Sequence, residues 1–323
     1  MNYLIPTIDV EALRSLSRLG DFDRLIMGKR YDEYFGVPKI LDIIGEYNGS
    51  GTFYVDFAEV GHGTDKLKEL SDLIIKKGSD IQLHIHPQFI ADKNRYLLNQ
   101  YSKKEQAEII EKCIEIYKQC TGGKPTSFRA GGYGADESTI ELLREHGFNS
   151  DSSYFYNHKW CNIKPKPLNK ISRINNIYEI PVTIFENKIS YTFAGQTVKE
   201  KTLIKKLDID GCTKEELQKG FDALKSSGVR VIILFLHSFS LFKIDYNYKN
   251  IYPDFTDAEK LKFILDYSLK NNYQIASVKT VTPLLDNYIN DNEIIPTITT
   301  ERNFIKSSVI TVKKKIKKKL RGK

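Results

Sequence analysis

A chain of 323 residues, 41% hydrophobic and 28% charged, is long enough for one large α/β domain or two small ones and has the composition of a folded globular protein. No apolar run approaches the roughly 20 residues of a membrane span, and residues 1–6, followed at once by Asp9, lack the charge and length of a secretory leader, so a cytoplasmic location is expected. The formal charge is +8, but residues 303–323 carry nine Lys or Arg and no acid, which leaves residues 1–302 at −1. That body has no electrostatic footprint for nucleic acid, and no specific nucleic-acid partner is expected.

Strand-like and helix-like patterns alternate in chain order. Residues 3–8 form a short apolar run that predicts a buried strand. Residues 37–47 place Ile40, Leu41, Ile43 and Ile44 at helical spacing, with Pro38 in the first turn. Residues 51–57 are β-branched and aromatic and predict a strand, 65–77 a helix, and 81–85 a strand. A long helix is predicted over 103–120, with Ile109, Ile110, Cys113, Ile116 and Tyr117 on one face. Residues 127–129 run into glycines, and Asp136 is a candidate cap for a helix that reaches His146. Further strands are predicted over 177–185, 229–236 and 275–278, and helices over 213–226, 256–269 and about 281–288. The stretches 154–176 and 186–212 read as surface excursions.

Helices of this length between strands argue for parallel βα units. Cys113, Cys120, Cys161 and Cys212 include no Cys-x-x-Cys. Cys113 and Cys120 lie about 10 Å apart along their helix, too far for a disulfide. Free thiols in a reducing compartment are expected.

Four segments carry side chains with chemical potential. Asp9 and Glu11 follow the first strand, and side chains two apart on extended chain point the same way. One could act as a base and the other as a metal ligand. His84 and His86, ahead of Pro87, would present two imidazoles on one strand face, within reach of one ion. Two imidazoles plus a carboxylate leave coordination positions open for water, as catalytic divalent sites do. Arg129 precedes Gly131 and Gly132, whose bare backbone lets N–H groups approach a ligand, and its permanent charge can pair with Asp9 or with Asp151. His237 leaves the buried run 231–236 at its C-terminal end, a suitable place for an acid. His62, His146 and His158 have no partner pattern.

The order of these segments resembles the NodB-homology polysaccharide deacetylases, carbohydrate esterase family 4, and within them the WalW-like proteins of polysaccharide biosynthesis loci. The likeness is carried by Thr7-x-Asp9-x-Glu11, His84-x-His86-Pro87, Arg129-Ala130-Gly131-x-Tyr133-Gly134, Asp151-Ser152-Ser153 and Leu236-His237-Ser238-Phe239, and it spans roughly residues 2–285. The resemblance implies a deformed (β/α)7-type barrel in one domain over residues 1–290, followed by a linker at 291–302 and the basic tail. It implies a divalent ion, most often Zn2+, with Asp9 as general base and Glu11, His84 and His86 as ligands. Arg129, with Asp151, would steady that base, and His237 would protonate the leaving amine. A backbone N–H near Tyr133 would help bind the oxyanion. Two spellings depart from the common family pattern. Val10 stands where a second aspartate is usual, and His-x-His replaces His-x-x-x-His.

The expected activity is removal of N-acetyl groups from the sugars of a cell-surface polysaccharide or its lipid-linked precursor. The alternatives are hydrolysis of another non-peptide C–N bond, in a cyclic imide or ureide, and an inactive glycan-binding homologue. In the tail, Ile305, Val309, Val312, Ile316 and Leu320 fall along one helical stripe among the lysines. A basic amphipathic segment of this kind suits an anionic membrane surface and would hold the protein at the inner face.

Overall fold

The computed structural model describes residues 1–13, 20–59, 63–164, 166–245, 248 and 250–303. The basic tail from residue 304 and His62 lie outside the described residues. The strands that matter for the site are β1 (Asn2–Val10), β2 (Thr52–Asp56), β3 (Asp80–Ile85), β4 (Ser127–Ala130), β5 (Ser150–Asp151), β6 (Ser172–Ile174), β7 (Ile177–Glu179), β8 (Ile184–Phe193), β9 (Gln196–Lys206), β10 (Val231–His237), β11 (Tyr273–Ile275) and β12 (Thr297–Asn303). The main helices are α1 (Val37–Glu46), α2 (Thr64–Lys76), α3 (Lys103–Thr121), α4 (Glu137–Glu145), α5 (Lys214–Ser226) and α6 (Phe255–Lys270).

The nine-stranded main sheet runs β10-β1-β2-β3-β4-β5-β7-β6, with β11 also paired to β1. Every pairing in it is parallel except β6 with β7. The curled sheet is joined across its far end by backbone bonds. Leu207 N–H donates to the Thr183 carbonyl (2.9 Å), and Phe235 N–H donates to the Leu207 carbonyl (3.0 Å). The result is the deformed (β/α) barrel that the sequence resemblance implied.

Local sequence explains the elements. Parallel strands covered on both sides need apolar residues throughout, and residues 3–10 of β1 are all buried. Helix α3 starts with a capping box: Ser102 Oγ accepts from Glu105 N–H, and the Glu105 carboxylate accepts from Ser102 N–H (2.8 Å). Asp136 caps α4 by accepting from Thr139 N–H (3.0 Å).

Period-two alternation sorts the strand residues into two layers. Leu4, Ile8 and Val10 of β1 and Leu234 and Leu236 of β10 join the large core shared with the helices. Tyr3, Ile5, Val231 and Ile233 instead join a second cluster with Ile180, Val278 and Val281. Continuing that second face toward the strand ends gives Thr7, Asp9 and Glu11 on β1 and its exit, and Phe235 and His237 on β10. The register then aligns Asp9 with His237, Asp56 with His84, and His84 with Arg129. Polar side chains from five strands thus collect at the C-terminal end of the barrel above an apolar floor, where enzymes of this architecture carry their chemistry.

Three regions differ from the sequence expectation. The run 177–185 is two strands, β7 and β8, because residues 180–183 leave β7 and turn toward β10. The stretch 186–212, expected as an irregular excursion, is mostly the antiparallel hairpin β8–β9. Residues 297–302, read as part of a linker, belong to β12, which pairs in parallel with β8 and packs on α5. Alternating polar residues at two-sided exposure hid both features. All four cysteines are free, and among the described residues no helix is long and apolar enough to cross a membrane.

Candidate metal centre and active site

Arg129 organises the site. It is fully buried and spends its donors on four acceptors. Nη1 donates to Asp9 Oδ1 (2.7 Å), Nη2 to Thr7 Oγ1 (3.1 Å) and Ser152 Oγ (2.9 Å), and Nε to the Ser152 carbonyl (3.1 Å). The guanidinium also lies over the rings of Tyr54 (4.4 Å) and Phe235 (5.2 Å). Burial opposes its charge, but the Asp9 carboxylate more than offsets that, so Arg129 stays a cation. The paired Asp9 is itself 5% exposed.

Glu11, His84 and His86 converge. One ligand atom from each lies within 4.8 Å of the others. His84 Nδ1 donates to the Arg129 carbonyl (2.7 Å), an acceptor only, which fixes the tautomer. The lone pair of His84 Nε2 therefore faces Glu11 Oε2 at 3.3 Å. His86 Nε2 meets the same carboxylate oxygen. Lone pairs of a carboxylate and an imidazole facing each other need a cation between them, a proton or a metal. A histidine whose other nitrogen is held by a backbone carbonyl is the usual support for a metal ligand. Burial raises the Glu11 carboxyl, but His86 and His84 outweigh it and hold the group well below its ordinary value. Burial depresses both imidazoles, yet Asp9 and Glu11 raise His84, and Glu11 and Asp56 raise His86. The donor set fits a divalent cation of the zinc type: two imidazole nitrogens and one carboxylate, each from a different point on the strand ends.

The glycines after Arg129 have a steric purpose. A Cβ on Gly131 would stand 2.6 Å from His86 Nδ1 and 2.7 Å from the ring carbons. The imidazole of His86 thus packs flat against bare backbone. Gly131→Ala is expected to push His86 off Glu11 and weaken zinc binding by about tenfold or more, as disturbed supports of metal ligands do. Calorimetric titration of zinc reads this directly, and an unchanged affinity would remove His86 from the ligand set.

On the other side of the pocket His237 Nδ1 pairs with Asp210 Oδ2 (3.0 Å), and its ring stacks on Phe239 (4.6 Å). Its Nε2 is 3.9 Å from Glu11 Oε1. Ser240 Oγ donates to the same Asp210 oxygen (2.9 Å) and accepts from His237 N–H (2.8 Å). Burial raises the Asp210 carboxyl, but the His237 and Ser240 hydrogen bonds bring it below its ordinary value.

Asp151 is not among the groups bonded to Arg129. Its Oδ1 accepts from Ser153 Oγ (2.6 Å) and its Oδ2 from Ser153 N–H (3.1 Å), while Arg129 reaches the segment through Ser152. Across the register from Asp151 stands Glu179, and both are fully buried. Burial and the Asp151 charge push the Glu179 carboxyl well above its ordinary value of 4.5. Folded Glu179 therefore keeps its proton at pH values where the unfolded group has lost it, and stability falls as pH rises above that value. In urea denaturation between pH 5 and 8, wild type should lose stability relative to Glu179→Gln, by up to about 1.4 kcal/mol per pH unit. Parallel pH curves for the two proteins would show that this pair holds no extra proton.

Sequence reasoning missed three site residues. Asp210 and Lys206 lie on the chain 206–210, whose Lys-Leu-Asp-Ile-Asp alternation repeats that of Thr-Ile-Asp-Val-Glu at 7–11. That alternation was the available signal. Lys206 Nζ lies over the Phe235 ring (3.4 Å), donates to Tyr133 Oη (3.2 Å) and pairs with Asp208 (3.4 Å). Asp56 ends β2 and accepts through Oδ1 from the N–H groups of Ala58 (3.0 Å) and His86 (3.2 Å), which anchors the His86 backbone. Tyr133 has φ 62°, a left-handed backbone conformation that side chains of its size rarely adopt.

Comparison with known proteins finds relatives similar in sequence and fold. Residues 31–150 match the family described as polysaccharide deacetylase. A peptidoglycan deacetylase of Helicobacter pylori is 27% identical over 122 residues, which cover 38% of this chain and 38% of that protein. A peptidoglycan deacetylase-like protein of Gibberella zeae is 31% identical over 117 residues, 36% of this chain and 30% of that protein. The aligned part thus spans 30–38% of the length of these relatives. A Mycobacterium smegmatis protein assigned as a polysaccharide deacetylase shares the fold, with a TM-score of 0.57 at 17% identity over 92% of this chain and 94% of that one. The ordered motifs, the matched segment and the barrel make the chain similar to the NodB-homology polysaccharide deacetylases.

Proposed function

We propose that the chain removes N-acetyl groups from the sugars of a cell-surface polysaccharide or its lipid-linked precursor, with a zinc ion held by Glu11, His84 and His86. The observation that carries this reading is the His84 tautomer, which leaves a nitrogen lone pair directed at the Glu11 carboxylate. When bound, a divalent cation supplies Lewis-acid polarisation of the acetamido carbonyl and acidifies an attacking water.

This chain's own residues do the rest. Asp9 takes the proton of the attacking water. Its Oδ1 accepts from Arg129 Nη1, which fixes the orientation of the carboxylate for that purpose. Asp151, next to the Ser152 that Arg129 grips, supports the same arrangement at one remove. His237, oriented by Asp210, delivers a proton to the departing nitrogen from Nε2. The backbone N–H near Tyr133 helps hold the developing oxyanion. The products are acetate and a free amine.

Membership of the WalW-like subgroup, a cytoplasmic location and a role in polysaccharide biosynthesis rest on the motif spellings and on the basic tail. Residues 303–323 suit docking to anionic lipid at the inner membrane face, where a lipid-linked glycan would be presented. The decisive assay is acetate release from N-acetylated chito-oligosaccharides before and after chelation. Release that disappears on chelation and returns with zinc supports the reading. Release that survives complete metal removal overturns it.

A further inference from the structure

We infer that the turn of the β8–β9 hairpin, residues 193–198, is an apolar foot that enters the headgroup layer of an anionic bilayer. The inference deepens the proposed docking of residues 303–323 and rests on it. Asn303, the last residue of β12, pairs with Thr192 of β8. The sequence 304–323, with nine Lys or Arg and no acid, therefore leaves the body beside the hairpin turn. At that turn Phe193 and Val198 are 50% exposed. Burial along this face of β8 fades from Ile189, which is buried, through half-buried Tyr191 to Phe193. Ala194 (φ 49°) and Gly195 (φ 79°) are both left-handed, as in a two-residue type I′ turn. Asn or Asp ordinarily leads such a turn. Ala194 gives up that preference, and Phe193-Ala194-Gly195 carries no polar side-chain atom. A turn in water gains nothing from that composition, whereas one that enters lipid must shed polar side chains.

Charge is sorted around the turn in the sense that lipid phosphate requires. Cross-strand partners share a face of a sheet. Lys199 and Arg302 both flank Tyr191, and Lys201 flanks Ile189. The acids Glu200 and Glu301 both flank Ser190, on the opposite face. Arg302 and Lys205 each reach the buried Glu216 of α5 (2.6 Å), which pins the small sheet to the barrel. Lys199 and Lys201 remain exposed beside the apolar turn, the pairing of cation and apolar side chain that an anionic interface binds. A second copy of the chain could add to the hairpin along the open edge of β9, but that edge is poorly made for it. The ladder is broken at Val198, between the Tyr191–Lys199 and Thr192–Thr197 pairs, and the edge lysines would meet their own kind. The other end of the 11-residue β9 carries Lys206 into the catalytic pocket, about 33 Å from Gln196 at the usual strand rise. The foot is therefore separate from the reacting groups and can be altered without touching them.

Full-length protein should sediment with vesicles of phosphatidylglycerol and phosphatidylcholine in equal parts, and not with phosphatidylcholine alone. Phe193→Ser combined with Val198→Ser should weaken that partition by about tenfold or more and leave acetate release from a soluble N-acetylated oligosaccharide unchanged. Trp160→Phe removes the sole tryptophan of the chain. In that background the emission of Phe193→Trp should be quenched by the same vesicles when their acyl chains are brominated. Partition that falls on deletion of 304–323 but is unmoved by the serine pair, with no quenching, would overturn the foot and leave the tail reading intact. No partition by the full-length protein would overturn both. Partition and quenching without any acetate release would keep the foot and sink the hydrolase reading. Self-association in the absence of lipid that the serine pair abolishes would mean that a second copy covers the turn, and would contradict the inference.

Discussion

His84→Ala is expected to abolish stoichiometric zinc binding and to lower acetate release by about 10³-fold, while the protein stays folded. The magnitude follows from losing several kcal/mol of charge stabilisation at the carbonyl. His84 is 1% exposed, and its Nδ1 is occupied by the Arg129 carbonyl. The substitution therefore removes a ligand whose orientation the barrel has already fixed, and it also leaves that carbonyl without its donor. His146→Ala is the matching control. His146 lies at the end of α4 within 3.9 Å of Glu111, away from the pocket, and its loss should change neither metal content nor activity. Elemental analysis and an acetate assay on the same preparations read both effects. A His84→Ala protein that retains one equivalent of zinc would remove His84 from the coordination set.

The second large effect concerns the buried ion pair. Arg129→Met is expected to destabilise the protein by about 3–5 kcal/mol, because Asp9 would be left as an uncompensated charge in a site that water barely reaches. Thr7 Oγ1 and Ser152 Oγ would lose their donor as well. Asp9→Asn should behave differently. It keeps an acceptor for Nη1, so stability should suffer less, but the base is gone and acetate release should fall by about 10²–10⁴-fold. In the double variant the stability losses should sum to less than the two singles taken separately, since each removes the same interaction. Urea denaturation of the four proteins measures this. Strict additivity would mean that Arg129 stabilises the barrel without reference to Asp9.

Much of this centre was legible from residues alone, and the reason is geometric. Where a ligand or base sits two residues from its neighbour at the end of an apolar run, alternation along a strand fixes which side chains share a face. That rule placed Asp9 beside Glu11 and His84 beside His86, and parallel register brought the pairs together. It failed where the strand itself was not recognised. Residues 196–206 are polar at nearly every position because β9 lies largely in solvent, so no hydrophobic period announced it. Lys206 and Asp210 were hidden with it, although the chain re-enters the barrel at Leu207. Asp56 escaped for another reason. A single aspartate after a strand carries no pattern, and only tertiary packing shows that it holds the His86 backbone. Gly131 was read as room for a ligand, whereas its missing side chain makes room for His86. Arg129 was expected to pair with Asp9 or with Asp151; it pairs with Asp9 and reaches the Asp151 segment through the neighbouring Ser152.

The most direct test of the three-ligand centre is zinc-edge X-ray absorption on the full-length protein loaded with one equivalent of zinc. Two imidazole nitrogens and a carboxylate oxygen in the inner coordination shell are expected, with one imidazole lost in His84→Ala and another in His86→Ala. A shell built from water and carboxylate oxygen alone, unchanged in both variants, would contradict the proposed metal centre.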